Sequence, residues 1–374
     1  MMDWEYIFQK CLEKIKFTEL SIRGNFPHTT RNGIWQTYPS GHWTGGFWVG
    51  LLWLKAIYPQ KKTDELEKAL SQAKRLIDRT KDNKTHDMGF IFGPGCIMGN
   101  HIQADSGLRN MAIAGAENLK HLFDKQAGIL YAWDEPGYEG VTIVDSIMNI
   151  PILIWSANEQ HDRELYKMGI TLADNIGVNH IRKDYSTYHL IRWDIHTHQV
   201  IERSTHQGYS SESCWSRGHA WALYGFANMY RYTKIEKYLR YAINLAEYFW
   251  QHLDANLFLP RWDFILKDHA DEPLDASAAS IAASGMLLLS KMNQETETEN
   301  PDIWKKRAVQ IMESLVKNCL FTDIDRYGLI RNVTVDRPRN SGVNESSIYG
   351  DYYFMESVFR LMNYNHDDMT DILY

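Results

Sequence analysis

Two short stretches hold side chains that helix punctuation alone does not explain. In "THDMGF", Thr85 to Phe90, His86 and Asp87 stand side by side before an apolar run. In "CWSRGHAW", Cys214 to Trp221, Arg217 falls in the first turn of an apolar helix. A cation there opposes the helix dipole, and a buried guanidinium requires a partner. That partner is either a neighbouring carboxylate or a carboxylate on a substrate, which the planar fork of arginine suits. Asp145, Asp275 and Asp351 open three further apolar stretches, and His42, Trp43, Gln207 and Trp215 lie at or near other starts. Taken singly, each aspartate reads as an N-cap, worth about 0.5–2 kcal/mol. A cap needs no histidine beside it, nor Trp and Arg on adjacent helix starts. Taken together, paired carboxylates, aromatic rings, amides and an arginine describe a carbohydrate site. Apolar sugar faces meet the rings, and two carboxylates in different environments can divide acid and base roles.

The residues are scattered over more than 300 positions, so the elements must gather them. Charged amphipathic segments alternate with segments apolar nearly all round. Residues 64–79 put Leu66, Leu70, Ala73 and Ile77 on one stripe, and 235–250 do so with Ile235, Leu239, Ala242, Ile243 and Ala246. Segments near 3–17, 104–123, 162–178 and 302–318 read alike. The apolar type covers 45–58, 145–157, 215–230, 276–290 and 350–363, with a shorter stretch after Asp87. Pro94 and Pro151 interrupt two of these. A helix apolar on all sides is buried. Six hairpins, each of one wet and one buried helix, hide all the buried ones only if they close into a ring. The expected fold is therefore all-α, an (α/α)6 barrel of six helical hairpins, forming one domain over 1–374. Inner helices of such a ring run the same way, so their starts share one rim. The one clear strand signal is a hairpin within 185–203.

Bulk properties exclude other classes. The net charge of −7 gives no basic field for nucleic acid. The longest apolar stretch, 45–58, is too short to span a bilayer and contains Lys55, so no membrane role is expected. Cys11, Cys96, Cys214 and Cys319 lie far apart, and the charged start has no leader's apolar centre, so a reducing cytoplasm is expected. His86 and Asp87 are adjacent and nothing nearby completes a metal shell; His196 and His198 alternate in the hairpin region. Nucleophile elbows, phosphate loops and dinucleotide fingerprints are absent, and neither metal nor cofactor is expected. The chain is expected to act as a monomer or small homo-oligomer.

"HWTGGFW", "HDMGF", "VDSIMNIPIL", "QGYSSESCWSRGHAWALYGF" and "GVNESSIYGDYYFMES" together resemble the unsaturated glucuronyl hydrolases, family 88 of the glycoside hydrolases. The matches run in order from Trp43 to Glu356, and the block from Gln207 to Phe226 is the specific one. The resemblance implies an (α/α)6 barrel and removal of a 4,5-unsaturated uronic acid from the non-reducing end of lyase-generated oligosaccharides. It also implies a reaction by protonation of C4 and hydration at C5. It makes Asp145 the general acid/base and Asp87 the second essential carboxylate. His189 falls at the position of a histidine near the glycosidic oxygen. Gln207 and Arg217 match sugar contacts, Trp43, Trp215 and Trp221 match the aromatic lining, and His86 and Tyr352 join the substrate-binding set. His219 departs from the glutamine expected there and is expected to alter subsite polarity. Arg337 and Arg339 read as a solvated loop or as contacts to a sulfate. Alternatives are an unsaturated rhamnogalacturonyl hydrolase, a sugar epimerase on the same barrel, and a non-catalytic glycan-binding barrel.

Overall fold

A computed structural model describes residues 2–294, 302–321 and 323–374. Helices alternate between half-exposed and buried along the chain. Half-exposed α1 (Trp4–Ser21) precedes buried α2 (Gly45–Ile57). Half-exposed α3 (Thr63–Lys74) precedes buried α4 (Met88–Phe92) and α5 (Met98–Ile102). Then come α6 (Ser106–Asn118), the buried pair α7 (Ser146–Asn149) and α8 (Pro151–Gln160), and α9 (Arg163–Asn179). Buried α10 (Ser216–Thr233) is followed by α11 (Glu236–Gln251), buried α12 (Ala276–Gln294) by α13 (Ile303–Asn318), and α14 (Ile348–Met362) is buried. The buried helices touch in order: α2 meets α4, α4 meets α7 and α8, these meet α10, then α12, then α14, which returns to α2. One connected apolar cluster runs through them from Ile7 to Tyr374. Among the described residues no helix is long and apolar enough to cross a membrane.

The two prolines act differently. Pro151 is the first residue of α8, where its missing N–H is no loss. Pro94 cannot donate within the helix, and the chain passes it as a π turn, Gly93–Ile97, that joins α4 to α5. The stripe expected over 64–79 stops early: α3 ends at Lys74, and Ile77 is exposed.

The helix-rich expectation holds, and the connections between helices add short strands. Among the described residues nine of them form four small antiparallel sheets. They are β1 (Phe26–Arg31) with β2 (Ile34–Tyr38), β3 (Phe123–Asp124) with β4 (Ile129–Leu130), β5 (Val141–Ile143) with β6 (Leu190–Trp193) and β7 (Val200–Ser204), and β8 (Val333–Asp336) with β9 (Ser341–Glu345). The hairpin expected within 185–203 is β6–β7, and β5 adds a third strand to it. Long connections must satisfy their own backbone groups, and these do so by folding back on themselves.

Two glycines set how closely the buried helices approach. A Cβ on Gly46 of α2 would lie 2.2 Å from the carbonyl oxygens of Phe90 and Ile91 in α4. One on Gly89 of α4 would lie 2.6 Å from the Cα of Asn149 in α7. Neither neighbour can yield, because both are backbone. Gly89→Ala is expected to push α4 from α7 and to destabilise the fold by about 1–3 kcal/mol, read as a lower urea midpoint. An unchanged midpoint would show that the two helices are not held at this distance.

Candidate active site

Three half-exposed helices begin with aspartates that cap in the ordinary way. Asp3 accepts from Tyr6 N–H, Asp105 from Leu108 N–H, and Asp162 from Glu164 and Leu165 N–H. Asp87 and Asp145 occupy the same position on α4 and α7, yet neither side chain caps its helix. For α4 a neighbour supplies the cap: Phe90 N–H donates to Asn149 Oδ1 of α7 at 2.9 Å. Two carboxylates at helix starts are thus released from structural duty.

The other two aspartates named from the sequence are occupied. Asp275 accepts from Ser277 N–H at 3.1 Å at the start of α12 and from Arg217 Nη1 at 2.5 Å. Asp351 lies in the first turn of α14, whose cap is Ser347, and accepts from Leu329 and Ile330 N–H.

Strand register brings Asp145 to its neighbour. Ile143 of β5 pairs with Leu190 of β6, and Val144 N–H then donates to His189 C=O at 2.9 Å. The next residue, Asp145, starts α7 with its Oδ1 4.0 Å from His189 Nε2. Both atoms are buried and without a hydrogen-bond partner among the described residues. His189 Nδ1 accepts the backbone N–H of His206 at 3.2 Å and of Gln207 at 3.3 Å. With Nδ1 an acceptor, the proton of the neutral ring sits on Nε2. Burial, then His206 and Arg217, hold the His189 pKa well below its ordinary value, so the ring stays neutral. It stacks on Trp215 with centroids 4.3 Å apart.

Asp145 is the perturbed acid. Burial raises its pKa to about 7; Arg217 opposes this and Asp87 adds to it. Asp351 is also pushed up to about 7 by burial, but both of its oxygens are bonded. A raised pKa alone therefore does not set Asp145 apart; a raised pKa with an oxygen unpartnered among the described residues does. Asp87 accepts from Thr85 Oγ1, and its Oδ1 lies 3.5 Å from His86 Nε2. His86 Nδ1 is 2.7 Å from Ser146 Oγ, which ties α4 to α7, and burial holds this histidine neutral too. Asp87, Trp43, Thr85, Trp133, Tyr138 and His206 line a cavity of 460 Å³.

The remaining residues divide. Trp43 reaches this rim and stacks on Tyr349 at 5.4 Å. Gln207 Nε2 donates to Val335 C=O at 2.7 Å. Arg217 has the neighbouring-carboxylate partner: besides Asp275 it donates to the carbonyls of Thr334 and Val335, and it lies over the Trp215 ring at 4.5 Å. Trp221 packs inside against Phe90 and Tyr353. Tyr352 is buried one turn below the rim, its hydroxyl 3.9 Å from Met98 Sδ. His219 faces outward: its Nε2 donates to Leu245 C=O of α11 at 2.9 Å, so it does not set subsite polarity. Arg337 lies 3.6 Å from Glu272, and Arg339 binds Asp336 and His206.

No protein-family model matches the chain. Whole-chain comparison does find relatives. The unsaturated chondroitin disaccharide hydrolase of Streptococcus pneumoniae is 29% identical over 367 residues, 95% of this chain and 92% of that one. The unsaturated glucuronyl hydrolase of Formosa agariphila is 30% identical over 338 residues, covering 87% and 81%. The crystal structure of an unsaturated glucuronyl hydrolase specific for heparin superposes with a TM-score of 0.90 at 27% identity, over 98% of this chain and 99% of that one. The chain belongs to the unsaturated glucuronyl hydrolase family. It is a glycoside hydrolase.

Several groups at this glucuronyl hydrolase's rim escape sequence reading. Tyr349, not Tyr352, stacks on Trp43, because Ser347 rather than Gly350 starts α14. A serine followed by an apolar run was the available signal. Trp133, Tyr138 and His206 come from loops between helices, where no periodicity points to them.

The raised Asp145 pKa has a sign for stability. The folded carboxyl resists ionisation, so its stabilising contribution is complete below the ordinary carboxylate pKa and is lost as pH rises through about 7. Asp145→Asn removes that loss. The variant is expected to melt above the unmodified protein at pH 8, with the gap closing near pH 4, measured by calorimetry. A gap that widens toward acid would place the Asp145 pKa on the wrong side.

Proposed function

We propose that this protein removes a 4,5-unsaturated uronic acid from the non-reducing end of glycosaminoglycan-type oligosaccharides, in a single (α/α)6-barrel domain of six helical hairpins. The observation that carries this is the pairing of Asp145, its pKa raised to about 7, with a neutral His189 across a 4.0 Å gap, the two facing atoms buried and lacking partners among the described residues. Relatives named for chondroitin and heparin substrates support the aglycone class.

In this reading the substrate's vinyl ether receives the Asp145 proton at C4, leaving cationic character at C5 and its ring oxygen. A water adds at C5 and gives its proton to the Asp145 carboxylate. The hemiketal so formed opens at its C5–O5 bond to a ketone, leaving a hemiacetal at C1 that collapses to an aldehyde and releases the aglycone as an alcohol. Each half-step reuses one carboxyl, which a pKa near neutrality allows. The Nε2–H of His189 offers a hydrogen bond to the departing oxygen. Asp87, held by Thr85, sets the ring and places negative charge where the cation develops. Trp43, Tyr349 and Trp215 supply flat apolar surface. Arg217 acts through its field and by anchoring β8. A cytoplasmic location fits an enzyme whose four cysteines are all buried free thiols.

Unsaturated chondroitin, hyaluronan, heparin and rhamnogalacturonan disaccharides should be followed for loss of ultraviolet absorbance. Glycosaminoglycan disaccharides are expected to lose their double bond, and Asp145→Asn to lower kcat by at least about 100-fold. Retention of the double bond in all of them, or turnover of the rhamnogalacturonan product alone, would reject the assignment. In the unmodified enzyme kcat/KM is expected to fall as pH rises past about 7, when Asp145 loses its proton. A profile flat from pH 6 to 9 would assign the proton to another group.

A further inference from the structure

Arg339 does something at this rim that its place in a polar loop does not suggest. Its Nη2 lies 3.1 Å from His206 Nδ1, and its Nη1 donates to His206 C=O at 3.0 Å. The arginine is itself fixed: Nη1 also binds Asp336 Oδ2 at 2.7 Å, and its own N–H donates to Asp336 Oδ1 at 3.1 Å. A guanidinium has only donors, so His206 Nδ1 must be the acceptor, and the ring proton must sit on Nε2. A charged imidazolium would turn an N–H toward Arg339 and is disfavoured for the same reason.

His206 lines the cavity that also holds Asp87, between Trp133 at 6.0 Å and Tyr138 at 5.9 Å. Among the described residues its Nε2 has no protein acceptor. The peptide group that joins His206 to Gln207 is held on both sides, its C=O by Arg339 and its N–H by His189 Nδ1. Next to it, Gln207 is tied to Val335 of β8. Arg339 thus stands at the head of a series: arginine to His206, and the His206 peptide to His189.

We propose that Arg339 is a positioning residue, holding His206 as a neutral Nε2–H donor toward an acceptor oxygen of the sugar that follows the uronate. Through the same peptide it keeps the acceptor side of His189 filled. The identity of that sugar rests on the glycosidase reading; the fixed tautomer does not. The guanidinium is bonded inside the protein, which separates this role from direct capture of a sulfate.

The test uses the full-length, ¹⁵N-labelled chain. Long-range ¹H–¹⁵N spectra at pH 7, with His206→Gln to assign the signal, should show His206 as the Nε2–H tautomer. Arg339→Met should move Nδ1 toward a tautomer mixture, and Arg339→Lys should restore it in part. A mixed tautomer in the unmodified protein, or no change in Arg339→Met, overturns the proposal. In kinetics on the unsaturated disaccharide, Arg339→Met and His206→Gln should each raise KM by about tenfold or more. The double variant should add little to either, because both act on one contact. Additive effects, or a rise confined to sulfated substrates with the tautomer unchanged, would assign Arg339 to direct anion contact and overturn the proposal. If no disaccharide is turned over, the functional reading falls while the spectra still decide the tautomer.

Discussion

A buried carboxyl oxygen, Asp145 Oδ1, kept without a partner among the described residues is the constraint around which this rim is built. Burial disfavours the charged form of Asp145 and raises its pKa to about 7. Buried polar atoms ordinarily find partners, and Asp351 shows the ordinary outcome under the same burial: both oxygens accept backbone N–H groups. Among the described residues Asp145 Oδ1 accepts nothing, and the histidine opposite it donates to nothing through Nε2. Leaving both atoms without a partner costs stability, which is the pattern expected where a protein gives up stability for function.

Leaving a carboxylate free at a helix start demands that other groups do its structural work. Asn149 caps α4 in place of Asp87. The larger threat is Arg217, whose charge lies near enough to Asp145 to lower its pKa. A direct ion pair would turn the acid into a permanent carboxylate. Asp275 and the carbonyls of Thr334 and Val335 take up the guanidinium instead. The arginine then contributes only a field, which burial outweighs. Asp275 is a cap and also the group that keeps Arg217 off the acid, so the choice between capping and chemistry posed by each aspartate has a different answer at each position.

How much of this was legible follows from which signals are local. The alternation of wet and buried helices survives in the sequence because amphipathicity has a 3.6-residue period, and α10 and α12 begin within a residue of where that period begins. Asp87, Asp145 and His189 could be named from motif resemblance and Trp43 from its place before α2, and the fold brings Asp145 to 4.0 Å from His189 and Trp43 to the cavity that Asp87 lines. Arg217's partner was not, because Asp275 is 58 residues away and only packing pairs them. Tyr352 displaced Tyr349 because an apolar run does not mark its own first turn: reading α14 from Gly350 instead of Ser347 turns the wrong face to the rim. His219 looked like a change in the subsite because its neighbours in the motif face inward, but in a helix packed on both sides one face must meet α11. Apart from the hairpin within 185–203, the strands left no sequence signal because they are short, two to six residues each.

Those strands divide the rim into two parts with different supports. Asp145 and His189 sit on a helix start and a strand register, Asp145 before α7 and His189 before β6, positions that cannot shift without repacking the interior. The cavity wall beside Asp87 is supported from elsewhere: His206 comes from the loop after β7, and Val335 and Arg339 of the β8–β9 hairpin hold it and Gln207. Loops and hairpins accept substitution more readily than packed helices do. The hairpin nonetheless reaches His189, because the His206–Gln207 peptide whose C=O Arg339 holds donates its N–H to His189 Nδ1. Substitutions on β8–β9 can therefore leave Asp145 untouched, provided that they keep the N–H groups of His206 and Gln207 aimed at the imidazole.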